Sequence, residues 1–94
     1  MPTAAKLSDK GTLHDGYYET VIIAGSSTVF IDGLPAPRQR DPLTPHTKPK
    51  HLPHPRKITG GSESVSIDDL PAARTRDSVD CGGVIIGNSS INTG

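Results

Sequence analysis

The sequence predicts a small, mainly β domain built from three copies of one strand–turn–strand unit around a pseudo-threefold axis. Three observations carry this. "GSSTVFIDGLPAPRQRD" (25–41) and "GSESVSIDDLPAARTRD" (61–77) align without a gap at an offset of 36. The two ends of the chain hold complementary halves of a third unit. Within each copy Val and Ile alternate with other residues at the two-residue period of a half-buried strand, and no stretch keeps a helical period between proper caps.

The elements follow in order. "AAKLSD" (4–9) aligns with "APRQRD" (36–41) and "AARTRD" (72–77), so the chain opens on the back half of a unit. "TVIIA" (20–24) reads as a strand entering a Gly-Ser turn, and "TVFID" (28–32) as the strand leaving it. "DGLP" closes the unit, because Asp-Gly favours a tight turn and Pro35 cannot donate to a central ladder. The second copy repeats the pattern with "RKIT" (56–59), "SVSID" (64–68) and "DDLP", which ends in Pro71. "GVIIG" (83–87) leads to "NSSI" (88–91), which stands where "GSST" and "GSES" stood. The expectation is one domain over 1–94, with two repeat cores at 25–41 and 61–77. The third copy is split between 1–9 and 88–94.

A chain of 94 residues withdraws only about two thirds of its unfolded surface from water. Its apolar fraction is 32%, it has no Trp, and Tyr17, Tyr18 and Phe30 are its only aromatics, so the core must be thin. Domains of this size commonly add disulfides, a structural metal or a partner subunit. The single cysteine, Cys81, excludes an internal disulfide and leaves metal or association. Ten Gly and nine Pro with low hydrophobicity make disorder the rival reading. Lys plus Arg and Asp plus Glu number ten each, so no basic field draws nucleic acid or an anionic membrane. The N-terminus lacks a signal-peptide run and no stretch spans a bilayer. Synthesis in the cytoplasm without a membrane anchor is expected.

The segments between each repeat Asp and the next turn are read as loops. They run 16 positions from Asp9 to Gly25, 20 from Asp41 to Gly61 and 11 from Asp77 to Asn88, and they contain every His and Cys of the chain. His14 and His46 lie five after their Asp, and Cys81 four after its own. Counted backward, His54 is seven before Gly61 and Cys81 seven before Asn88. His51 fits neither count. Three loops thus bring His and Cys to one end of the molecule, and a His3Cys set suits tetrahedral Zn(II). Four protein ligands leave no position for water, so the expected metal is structural and not catalytic. No enzyme is expected, because the repeat itself fills the 94 residues.

Taken singly, these residues have plainer readings. The tract 45–55 is a solvated His/Pro-rich loop, Cys81 a small buried apolar residue and His14 a surface residue. A Cys–His protease lacks any oxyanion or pocket signature here. Arg38, Arg40, Arg74 and Arg76 read as a solvated face pairing with nearby Asp residues.

"LPAPRQRD" and "DLPAARTRDSVDCGGVIIGNSS", with Pro71-Ala72-Ala73-Arg74 intact, resemble PAAR-repeat proteins along essentially the whole chain. The resemblance implies a small cone capping the trimeric β-helical spike of a type VI secretion system or contractile phage tail, one chain per trimer. It implies a zinc near the point, held by His14, His46, His54 and Cys81. His51, three positions before His54, is the alternative to it. It implies export with the spike or residence at a tail tip, and mechanical puncture of an envelope. An adaptor module that recruits effector cargo is the second reading. Val29, Phe30, Ile31, Val65 and Ile67 are candidates for both core and spike-facing base.

Overall fold

The computed structural model describes residues 2–12, 19–46, 54–80 and 82–93. His14, His51 and Cys81 lie outside them. Nine short strands are formed among the described residues: β1 (Lys10–Gly11), β2 (Thr20–Val21), β3 (Phe30–Ile31), β4 (Leu34–Pro35), β5 (Pro42–His46), β6 (His54–Lys57), β7 (Ser66–Ile67), β8 (Leu70–Pro71) and β9 (Ile85–Ile86). No helix occurs among the described residues, and the body is elongated, at 39 × 24 × 22 Å.

The strands are shorter than the sequence suggests, and isolated bridges and the β1–β9 pair join successive hairpins. β1 lies between β2 and β9. Ile22 bridges to Leu43, β5 pairs with β6, Ile58 bridges to Val79, and Ser78 bridges to Val84 at the edge of β9. Pairing therefore returns to its starting point and closes a ring. Closure removes the free edges that a small sheet would otherwise expose. It also corrects the reading of the segments after Asp9 and Asp41 as loops, because β1 and β5 begin immediately there despite Pro42 and Pro45.

Inside this ring sits the main core, of Ala5, Ile22, Leu43, Ile58, Ala73, Val79 and Ile85. Its symmetry is explicit in the backbone. The amides of Ile22, Ile58 and Ile85 donate to the carbonyls of Asp9, Asp41 and Asp77 at 2.8, 3.0 and 2.9 Å. Those of Leu7, Gln39 and Thr75 donate to Pro35, Pro71 and Thr3 at 3.0, 2.8 and 2.8 Å. Ser8, Arg40 and Arg76 share a left-handed backbone, with φ of 75, 81 and 73°. The Ala5 amide reaches Ala73 and the Ala73 amide reaches Pro37. Pro37, having no N–H, cannot donate in the third equivalent bond.

Two hairpins, β3–β4 and β7–β8, extend from the ring on the side away from the Asp-to-Ile segments. Their turns have positive φ at both central residues, Asp32 and Gly33 in one, Asp68 and Asp69 in the other. This is the turn whose twist suits a two-residue hairpin. The chain ends make the third hairpin, where Thr3 bridges to Asn92 as Pro35 pairs with Phe30 and Pro71 with Ser66. That register puts Gly87, not Asn88, at the position of Gly25 and Gly61. The split copy is one residue shorter between its buried Ile and its turn. All three glycines are forced by close approach: a Cβ would lie 2.9 Å from Ala36 at Gly25, 2.5 Å from Pro71 at Gly61 and 2.9 Å from Thr3 at Gly87.

Candidate metal centre

The repeat Asp residues set the frame that carries the loops. Asp41 accepts the Arg38 amide (2.8 Å) and a two-pronged contact from its guanidinium, Nε at 2.9 and Nη2 at 3.1 Å. Asp77 does the same with Arg74, at 2.6, 3.2 and 3.0 Å. In the split copy Asp9 accepts the Lys6 amide at 2.9 Å and Lys6 Nζ at 2.8 Å. Each carboxylate thus clamps the tight turn Arg-x-x-Asp or Lys-x-x-Asp, and all three Asp residues are buried. Arg38 and Arg74 are held above the usual arginine range, chiefly by these hydrogen bonds. The reading of four solvated arginines is corrected here. Arg40 and Arg76 are exposed, but the side chains of Arg38 and Arg74 are only 19% and 21% accessible.

Above this frame, β5 and β6 continue past the ring as a hairpin that carries two of the four expected ligands. Its register pairs Pro42 with Lys57, Leu43 with Arg56 and, past an irregularity, His46 with His54. His46 and His54 are thus direct backbone partners. His51, the substitute weighed for His54, lies outside the described residues, as do His14 and Cys81. Among the described residues no group of three or more His, Cys, Asp or Glu is assembled.

One residue that the sequence reading passed over joins the flanks of the outlying positions. Arg56 is 2% exposed. Its Nη1 donates to the Gly11 carbonyl at 3.2 Å and Thr20 Oγ1 at 3.1 Å, and its Nη2 to the carbonyls of Thr12 at 2.8 Å and Gly82 at 3.3 Å. Thr12 stands two residues before His14, Gly82 directly after Cys81, and Arg56 itself two residues after His54. The chain segments bearing all four expected ligands therefore meet around one guanidinium. A His3Cys donor set on segments so gathered fits a zinc ion. Sequence alone held one clue: with each buried Ile as anchor, Arg56 is equivalent to Thr20 and Gly83, one long inward side chain against two small ones.

At the far end lies a second apolar cluster, Ala36, Ile67 and Ala72 with Ile31 against it. Beyond it a concave surface is lined by residues of all three copies, among them Ala4, Val29, Ile31, Val65, Ile67 and Ile91. The copies lock together there through carboxylates. Asp68 accepts from Ser26 Oγ (2.6 Å), Thr28 Oγ1 (3.0 Å) and Arg38 Nη1 (2.9 Å). Asp32 accepts from the Ser90 amide at 2.7 Å and Ser90 Oγ at 2.5 Å. The Ser26 and Ser90 hydroxyls are the leading causes that hold these two carboxyls below the usual carboxylate range.

The PAAR motif family matches residues 14–87. The chain belongs to that family, which is one of structural spike-tip proteins of contractile injection machines. No curated protein matches the chain.

Proposed function

We propose that this chain caps the trimeric β-helical spike of a contractile injection machine, with its apolar concave end on the spike and its metal-tied end leading. The observation that carries the reading is the triad Val29, Val65 and Ile91. They are 38%, 38% and 47% exposed, and they sit at equivalent points, since the Ala36, Ala72 and Ala4 amides donate to their carbonyls. A monomer ordinarily cannot meet three equivalent partner surfaces at once. A chain with three near-equivalent apolar corners can.

At the leading end His14, His46, His54 and Cys81 would hold a structural zinc. When bound, it supplies four directional bonds to loops that have too few apolar residues to build a core. The chain's own part is to bring the loops together, through the β5–β6 hairpin and the Arg-x-x-Asp clamps. Assembly at a phage tail tip or on a secretion spike, and puncture of an envelope by mechanical force, follow from this reading.

Two measurements test it. Mixed with a trimeric β-helical spike tip, the purified chain forms a complex of one copy per trimer by native mass spectrometry. Val29→Glu with Val65→Glu abolishes that complex without lowering the melting temperature by more than a few degrees. An unchanged complex in the double variant refutes the docking face. For the metal, elemental analysis finds about one zinc per chain, and His46→Ala and Cys81→Ser lower both metal content and melting temperature. Unaltered values in both variants would sink the ligand assignment.

A further inference from the structure

Arg56 occupies a position where an apolar side chain would be the simpler choice. It forms no ion pair among the described residues, and its buried Nε has no hydrogen-bond partner there. A buried guanidinium without a counter-ion is costly, and a well-packed apolar residue of similar volume avoids that cost. What arginine adds over such a filler is a rigid planar fork of donors in fixed geometry.

The interior is shaped to admit one such fork. Of the three equivalent positions, Arg56 takes the volume while Thr20 and Gly83 stay small. A Cβ on Gly83 would lie 3.0 Å from Arg56 Nη2 and 2.8 Å from the Thr12 carbonyl. A Cβ on Gly11 would lie 3.1 Å from Arg56 Nη1 and 2.5 Å from Leu43 Cδ2. The four acceptors come from the segment before His14, the segment returning from it at Thr20, and the residue after Cys81. The donor rides on the strand that begins at His54. One planar group thus spans all three loop bases.

We propose that Arg56 is a positioning residue for the metal centre: its guanidinium ties the bases of the three loops together, so that the ligand set is gathered before a metal ion arrives. This rests on His14, His46, His54 and Cys81 being the ligands. Substitution of Arg56 then weakens metal binding through the apo state, as groups that orient metal ligands do at about 10–100-fold per substitution.

The experiment uses the full chain with Arg56→Met, Arg56→Lys and Thr20→Val. Zinc affinity is read by competition with a chromophoric chelator. Cobalt(II) spectra report thiolate ligation, and amide hydrogen exchange is followed in the metal-free protein. Arg56→Met is expected to bind zinc about 10–100-fold more weakly, Thr20→Val less so, and Arg56→Lys in between. Exchange at the Thr12 and Gly82 amides quickens while that at Ile22, Ile58 and Ile85 does not. Folded variants that hold zinc as tightly as the unmodified chain overturn the proposal. Should Arg56→Met fail to fold, Thr20→Val decides by the same readouts, because it removes one acceptor and keeps the shape. If the unmodified chain binds neither zinc nor cobalt, the ligand reading falls by itself. Hydrogen exchange then decides on Arg56, and unchanged rates at Thr12 and Gly82 overturn its positioning role as well.

Discussion

Replacing Asp77 with alanine is expected to destabilise the fold by about 2–4 kcal/mol, although the residue is not among the expected ligands. Asp77 is 7% exposed, and among the described residues its carboxylate accepts three hydrogen bonds, all from Arg74. Bonds to a charged group contribute about 1.5–3 kcal/mol net, and an amide left unpaired inside costs about 1–3 kcal/mol. Removing one partner of a buried ion pair costs about 3–5 kcal/mol. The effect falls around or below the low end of that range, because Arg74 keeps its 2.9 Å bond to the Gly61 carbonyl and is partly reached by water.

At about 4–8 °C per kcal/mol for a domain of this size, the melting temperature falls by roughly 8–32 °C. Urea unfolding followed by circular dichroism, with and without chelator, separates this effect from metal loss. Lys10→Ala is the control. Its pair with Glu19 spans 3.2 Å between side chains 60% and 50% exposed, and such pairs contribute only about 0–1 kcal/mol. If Asp77→Ala costs no more than Lys10→Ala, the clamp is a surface ion pair like any other and the reasoning fails.

Other substitutions probe other links. Asp69→Gly places at φ 66° the residue type that Gly33 supplies in the first copy, and is expected to stabilise by about 0.5–1 kcal/mol, read as a higher urea midpoint. Gly61→Ala drives a Cβ to 2.5 Å from Pro71 and is expected to cost about 1–3 kcal/mol by the same measurement. Acid acts in two steps. If the proposed zinc is bound, its ligation by neutral His and ionised Cys is expected to be lost below about pH 5–6, unless chelator has already removed the metal. Asp32 and Asp68 have folded values below the unfolded carboxylate value of about 3.9, so their contribution is present above that pH and disappears as pH falls through the lower folded value. Asp32→Asn with Asp68→Asn therefore flattens the stability profile below about pH 4 and leaves the step near pH 5–6 in place.

The repeat, the β class and the Asp-led turns were legible because their causes are local. A turn that needs left-handed backbone at two successive residues writes Asp-Gly or Asp-Asp into the chain, and a threefold body writes its unit three times. Side-chain alternation also marks strands, but it does not tell which face is inward. Ile31 and Ile67 turned to the second core while Phe30 stayed 57% exposed, a choice made by neighbouring copies far away in sequence.

Tertiary structure alone decided the pairing of His46 with His54, since a hairpin register depends on both strands at once. It set the register of the split copy, whose halves are joined only by bonds such as Thr3 to Asn92. It also revealed Arg56, which in the sequence is only the first residue of the strand "RKIT" and which the closed ring surrounds with acceptors. The sequence by itself determined the unit and its number. The closure of three units on one another, where hydrogen bonds run between copies, determined the core, the base and the gathering of the loops.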